Sequence, residues 1–130
     1  MESNGTREKP FDIRERLLVF GCDIIRATQF LHTRGPIGRA LSFQILAAGT
    51  SIGANVQEAD GASSRADFVA KLRISLKEAK ETRFRLALCR RSELLDARFN
   101  GLLRESDEIV RILGAIVHNT VRNGAGQGRL

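Results

Sequence analysis

Between Ser63 and Ser92 the chain carries nine Lys/Arg against three Asp/Glu, a local charge of +6 that equals the formal net charge of all 130 residues. Cations gathered in this way are suited to holding phosphate. On a helical wheel with Arg65 at zero, Arg73, Lys77, Lys80 and Arg91 fall between about 60° and 120°, with Arg83 and Arg90 at the edge near 0° and 340°. Asp67, Glu78 and Glu81 fall near 160–220°, so the bases form a stripe and not a uniform coat. The stripe has two readings. One is a solvated face with i,i+4 pairs such as Lys77–Glu81. The other is a nucleic-acid strip in which Arg73, Lys77, Lys80, Arg83 and Arg91 contact DNA or RNA phosphates with little base readout. The sequence has seven Phe but no Trp or Tyr, which argues against a stacking platform for single strands.

Other chemistry is thin. His32 and His118 have no i,i+4 carboxylate or histidine partner, and the Glu-x-x-His spacing of a di-metal bundle is absent, so no metal is expected. Cys22 and Cys89 lack a CxxC partner or a neighbouring histidine and read as buried thiols. Ser51 and Ser64 lack the strand-turn-helix setting of a nucleophile elbow. Gly49 and Gly53 are followed by no Lys-Ser/Thr and preceded by no strand, so they make no phosphate loop. No reaction and no cofactor is supported, and the chain is read as a non-enzyme.

The elements that must position the stripe are helical. Two prolines, no alternating β-branched runs and strong three-to-four periodicity predict an all-α fold of one domain. Residues 1–10 read as disordered, 11–122 as a bundle, and 123–130 as a flexible glycine-rich tail. The first helix is expected over about 12–33, on a seam of Ile13, Leu17, Phe20, Ile24, Ala27 and Leu31. Arg34-Gly35-Pro36 breaks it. The second, about 37–60, uses Leu41, Ile45, Ala48, Ile52 and Val56. Ser64 with Asp67 caps the third, about 65–91, whose seam is Phe68, Leu72, Ser75, Ala79, Thr82 and Leu86. Asp96 caps the fourth, about 97–121, running through Phe99, Leu102, Ser106, Ile109, Leu113, Ile116 and Thr120. Short connectors then predict an antiparallel up-down-up-down four-helix bundle.

The second helix is chemically quiet. Residues 40–57 contain no charge, and Gly49 and Gly53 lie four apart on one face. Each mid-helix glycine costs about 1 kcal/mol against alanine. Close approach of another backbone would compensate, either within the chain or at an oligomer interface. Ile74, Phe84 and Leu88 lie outside the third helix's seam, and such surplus apolar surface marks an interface with a second subunit. The uncharged run is the length of a bilayer span, but Ser42, Gln44, Thr50, Ser51, Asn55 and two glycines argue against a membrane. With no signal-like N-terminus and two isolated cysteines, a reducing, cytoplasmic location is expected.

Leu41-Ser-Phe-Gln-Ile-Leu-Ala-Ala-Gly-Thr-Ser-Ile-Gly-Ala-Asn-Val-Gln-Glu-Ala resembles the signature of the four-helix bundle proteins related to the 23S rRNA intervening-sequence protein, the S23 family. Ser64-Arg-Ala-Asp-Phe-Val-Ala-Lys-Leu-Arg-Ile-Ser-Leu-Lys-Glu-Ala-Lys-Glu-Thr is similar to that family's second block. Val110-Arg-Ile-Leu-Gly and Val121-Arg-Asn-Gly-Ala-Gly-Gln also resemble the accessory variability determinant proteins of diversity-generating retroelements. The resemblance implies a ring-shaped homopentamer and, for the retroelement branch, a basic oligomer that binds a reverse transcriptase and nucleic acid. Family members usually carry aromatics such as Tyr or Trp after the Glu-Thr pair, where this chain has Arg83-Phe84-Arg85-Leu86. Glu58, Glu78 and Glu81 match the family pattern, and salt bridges are their expected role. Two functions stay open: a nucleic-acid-associated oligomeric scaffold, and a purely structural or protein-binding ring.

Overall fold

The computed structural model describes residues 12–123, and these form four α-helices and one short 3-10 turn. The expected disordered residues 1–10 and the tail from residue 124 onward lie outside the described residues. Helix α1 is Ile13–His32, α2 Gly35–Asp60, α3 Arg65–Arg91 and α4 Asn100–Arg122, with the 3-10 turn Ala97–Phe99 leading into α4.

Local chemistry sets the boundaries. Asp12 caps α1, its carboxylate accepting from the Glu15 amide. Ser64 caps α3 by accepting from the Asp67 amide at 3.0 Å, and Asp67 accepts in turn from the Ser63 amide. This is a variant of the capping box in which the return bond goes to the residue before the cap. Helix α2 begins two residues sooner than expected. Gly35 takes a left-handed φ of +82° and Pro36 sits in the first turn, where a missing N–H leaves nothing unsatisfied. Asp96 caps the 3-10 turn and not α4 itself, which starts at Asn100.

Consecutive helices return alongside one another. Leu17 and Ile24 of α1 lie against Gly53 and Gly49 of α2, and Arg14 pairs with Asp60. The Ser75 hydroxyl of α3 donates to the Ile52 carbonyl of α2 at 2.8 Å, and Lys71 reaches Glu58. Between α3 and α4, Arg83 meets Asp107 and the Arg65 guanidinium donates to the Thr120 carbonyl in the last turn of α4. A cation there also complements the negative end of the helix dipole. Arg16 grips Glu105 with two hydrogen bonds, 2.6 and 2.9 Å, and so ties α1 to α4.

The core takes the predicted seams, with Phe20, Ile24, Leu31, Ile45, Ile52, Leu72, Leu86, Ile109 and Leu113 almost fully buried. Leu41, Phe99 and Ile116 pack against it while remaining half-buried. Two of the hydroxyls on the seams are satisfied within their own helices: Thr82 donates to the Glu78 carbonyl and Ser106 to that of Leu103. Burial of these two therefore orphans neither donor.

Glu93, after the end of α3, has a φ of +68° and is the one non-glycine residue at positive φ among the described residues. Its amide donates to the Arg90 carbonyl and the Leu95 amide to that of Cys89. A left-handed non-glycine costs about 1–2 kcal/mol, of which glycine's greater unfolded freedom returns part. Glu93→Gly is therefore expected to stabilise the chain by about 0.5–1 kcal/mol, read as a higher midpoint in urea at unchanged m-value.

Candidate nucleic-acid interface

The long unbroken α3 carries its core seam on one side, which leaves the opposite side to the cations. Arg73, Lys77, Lys80 and Arg91 are exposed and form no ion pair among the described residues. Lys77 does not pair with Glu81, which meets Arg85 instead at 3.5 Å. Arg83 departs from the expected strip. It is half-buried and turned toward α4, where it meets Asp107 at 3.4 Å, because its wheel position borders the seam. Four of the five residues of the expected strip are thus exposed and unpaired among the described residues. Glu58 and Glu81 form ion pairs with Lys71 and Arg85, while Glu78 has none among the described residues.

Ile74, Phe84 and Leu88 are 41%, 64% and 46% exposed on the same outer side of α3. Gly49 and Gly53 have neighbours within the chain. A Cβ on Gly49 would stand 2.9 Å from both Ile24 Cγ atoms, and one on Gly53 would stand 3.3 Å from Leu17 Cβ. Their close approach serves the α1–α2 crossing within one chain, the first of the two readings the sequence left open. The outer side of that crossing is open. A groove of about 730 Å³ runs between α1 and α2, floored by Gly21, Gly53 and Ala54 and walled by Leu18 and Ile25. Its titratable residues are Cys22 and, at one end, Asp12, Arg14, Glu15 and Asp60.

Cys22 is exposed, contrary to the expectation that both thiols are buried, because it lies on the solvent side of α1 opposite the seam. Cys89 is buried, and that burial raises its pKa, which keeps it a thiol. No group of three or more His, Cys, Asp or Glu that could hold a metal occurs among the described residues. Nor is any described helix long and apolar enough to cross a membrane.

The sequence reading missed a cluster where the α1–α2 and α3–α4 connections meet. The Phe30 and Phe99 rings lie 5.2 Å apart, and the Arg98 and Arg34 guanidiniums stand 4.7 and 5.7 Å from the Phe30 centroid. Arg34 donates to the Glu93 carbonyl at 3.0 Å, and Arg90 to the Asn100 side chain at 2.8 Å. Arg98 clasps Asp96, and that bond holds the Asp96 carboxyl below its ordinary range. These residues come from segments nearly sixty positions apart, so no single wheel contains them. The available signal was an arginine in each connector.

Comparison places this arrangement among known proteins. The sequence model of the 23S rRNA-intervening sequence protein family matches residues 11–115. A protein of unknown function from the S23 ribosomal protein family of Bacteroides thetaiotaomicron VPI-5482 has a similar crystal structure. Its TM-score is 0.74 at 39% sequence identity, covering 81% of this chain and 97% of that one. No curated protein matches the chain.

Proposed function

The chain belongs to the 23S rRNA-intervening sequence protein family, and we propose that it works as a non-enzymatic, basic oligomeric scaffold that associates with nucleic acid. The observation that carries this reading is the outer face of α3, where Arg73, Lys77, Lys80 and Arg91 are exposed and unpaired among the described residues. Cations neutralised within the fold would have little left for phosphate; these four are not. The up-down-up-down bundle would assemble as a ring, a homopentamer by family resemblance, through apolar positions such as Ile74, Phe84 and Leu88. Repetition around a ring would turn weak single-strip contacts into avid binding. A reverse transcriptase is the proposed protein partner, by resemblance to the retroelement accessory proteins.

The test is direct. Arg73→Ser/Lys77→Ser/Lys80→Ser is expected to weaken binding of a labelled duplex by at least about 10-fold at roughly 50 mM salt and to flatten the log–log salt slope by about 2–3. Unchanged affinity and slope would remove the strip from the reading. A monomer by light scattering at micromolar concentration would remove the ring.

A second reading is favoured by one observation. Phe84 shares the side of α3 that carries Arg73, Lys77 and Lys80, so subunit contact there would cover the cations as well. In that case the protein is a structural or protein-binding ring, and wild-type protein would fail to retard nucleic acid even at about 50 mM salt.

A further inference from the structure

Charge is distributed unevenly along the bundle axis. The two connections at one end, residues 32–39 and 90–104, carry six arginines against Glu93 and Asp96, a net +4. The other end, residues 12–16, 58–71 and 118–123, carries five Lys/Arg against five Asp/Glu, a net of zero. Most of the chain's +6 therefore sits at one end. The Arg34–Glu93 bond and the Phe30–Phe99 contact show that its two connections form one surface.

The chemistry of that surface is specific. All six cations are arginines, whereas the three lysines of the described residues lie on α3 at 71, 77 and 80. A guanidinium presents a planar fork that fits phosphate oxygens two at a time. Arg98 is committed to Asp96 through two nitrogens. Arg34 and Arg90 are each held by one hydrogen bond, which restricts the side chain while leaving other N–H groups unbonded among the described residues. Side chains already held in place lose less freedom on binding. Arg39, Arg91 and Arg104 are exposed and make no ion pair or side-chain hydrogen bond among the described residues. Glu93 and the Arg98-bound Asp96 are then the two carboxylates these connections set against the other five arginines, none of which forms an ion pair among the described residues.

We propose that this arginine-rich end of the bundle grips the phosphate backbone of nucleic acid. Arg34 and Arg90 act as pre-set donors, with Arg39, Arg91 and Arg104 as free ones. The proposal rests on the nucleic-acid reading above and moves the principal contact from the flank of α3 to the end of the molecule.

The test compares wild-type protein, Arg39→Gln/Arg91→Gln/Arg104→Gln, and the α3 triple serine variant on labelled 30-base-pair DNA and 30-nucleotide RNA. Arg122→Gln, at the other end, serves as the control, and thermal unfolding confirms that each variant is folded. The glutamine variant is expected to bind both probes at least about 10-fold more weakly at roughly 50 mM salt, with the log–log slope reduced by about 2–3, while Arg122→Gln binds as wild type. If the glutamine variant keeps wild-type affinity and slope while the serine variant loses both, the site is on the flank and the end proposal is overturned. An equal loss from Arg122→Gln would also overturn it, since net charge and not the end would then govern binding. If wild-type protein binds neither probe, the nucleic-acid reading falls and the end proposal falls with it.

Discussion

Gly38→Ala is expected to destabilise the bundle by about 2–3 kcal/mol, the upper part of the range for overpacking a tight site. Gly38 is buried in the first turn of α2, where that helix folds back over the end of α1. A Cβ there would overlap the Leu31 carbonyl oxygen and come within 2.8 Å of Arg34 Cβ. The Leu31 carbonyl is backbone and also accepts from the Arg34 amide, so it cannot step aside as a flexible side chain would. Relief requires the α1–α2 connection to open, which strains the chain reversal itself. Gly21 and Gly114 supply the contrast: both are helical and a Cβ meets nothing within 4 Å at either. Alanine at those positions is expected to stabilise by about 1 kcal/mol through helix propensity alone. Thermal unfolding followed by circular dichroism separates the cases, with Gly38→Ala lowering Tm by roughly 10 °C and the other two raising it. Equal effects at all three glycines would show that backbone freedom, not the carbonyl contact, decides the cost.

A larger and more specific effect is expected at the α1–α2 crossing. Ile24 is fully buried and its two Cγ atoms occupy the space a Cβ on Gly49 would need. Ile24→Ala removes both and should cost about 3 kcal/mol, from lost burial plus the cavity left behind. Gly49→Ala in the native chain gains about 1 kcal/mol of propensity but meets a β-branched side chain with little rotamer freedom, for a net cost of about 1–2 kcal/mol. In the Ile24→Ala background the same alanine enters vacated space and should stabilise by about 1 kcal/mol. The sign of the Gly49 substitution therefore reverses with its neighbour, which urea unfolding of the two single variants and the double variant measures. Additive effects would mean that these residues do not constrain each other.

The fold was largely legible because its seams repeat. Phe68, Leu72, Ser75, Ala79, Thr82 and Leu86 each fall where a 3.6-residue period puts them, and all are buried. Ser64 with Asp67 marked the start of α3 because a hydroxyl before an acidic first turn satisfies orphaned amides. What one dimension hid was the identity of the neighbour. Gly49 and Gly53 announced close packing, but only the crossing with Ile24 and Leu17 shows that the partner is in the same chain. Arg83 looked free on a wheel of α3 alone, and Asp107 twenty-four positions later claims it. Cys22 illustrates the opposite error: composition made a cysteine seem buried where the seam around Phe20 and Ile24 already placed it outside. The arginines of the connectors were visible one by one, yet their summation required the two reversals to meet.

Among the described residues, that summation sets an electric moment along the bundle. A polyanion's field would rotate the bundle before contact, turning the Arg34–Arg104 end forward, and the rate of arrival would fall with ionic strength. An end-on approach leaves the long sides, with Leu18, Ile25 and Phe84 exposed on them, clear of the ligand. Neighbouring copies could then pack side by side while all their forward ends stay available. Salt would slow capture without loosening the lateral apolar contacts, so the two processes would separate along one experimental axis.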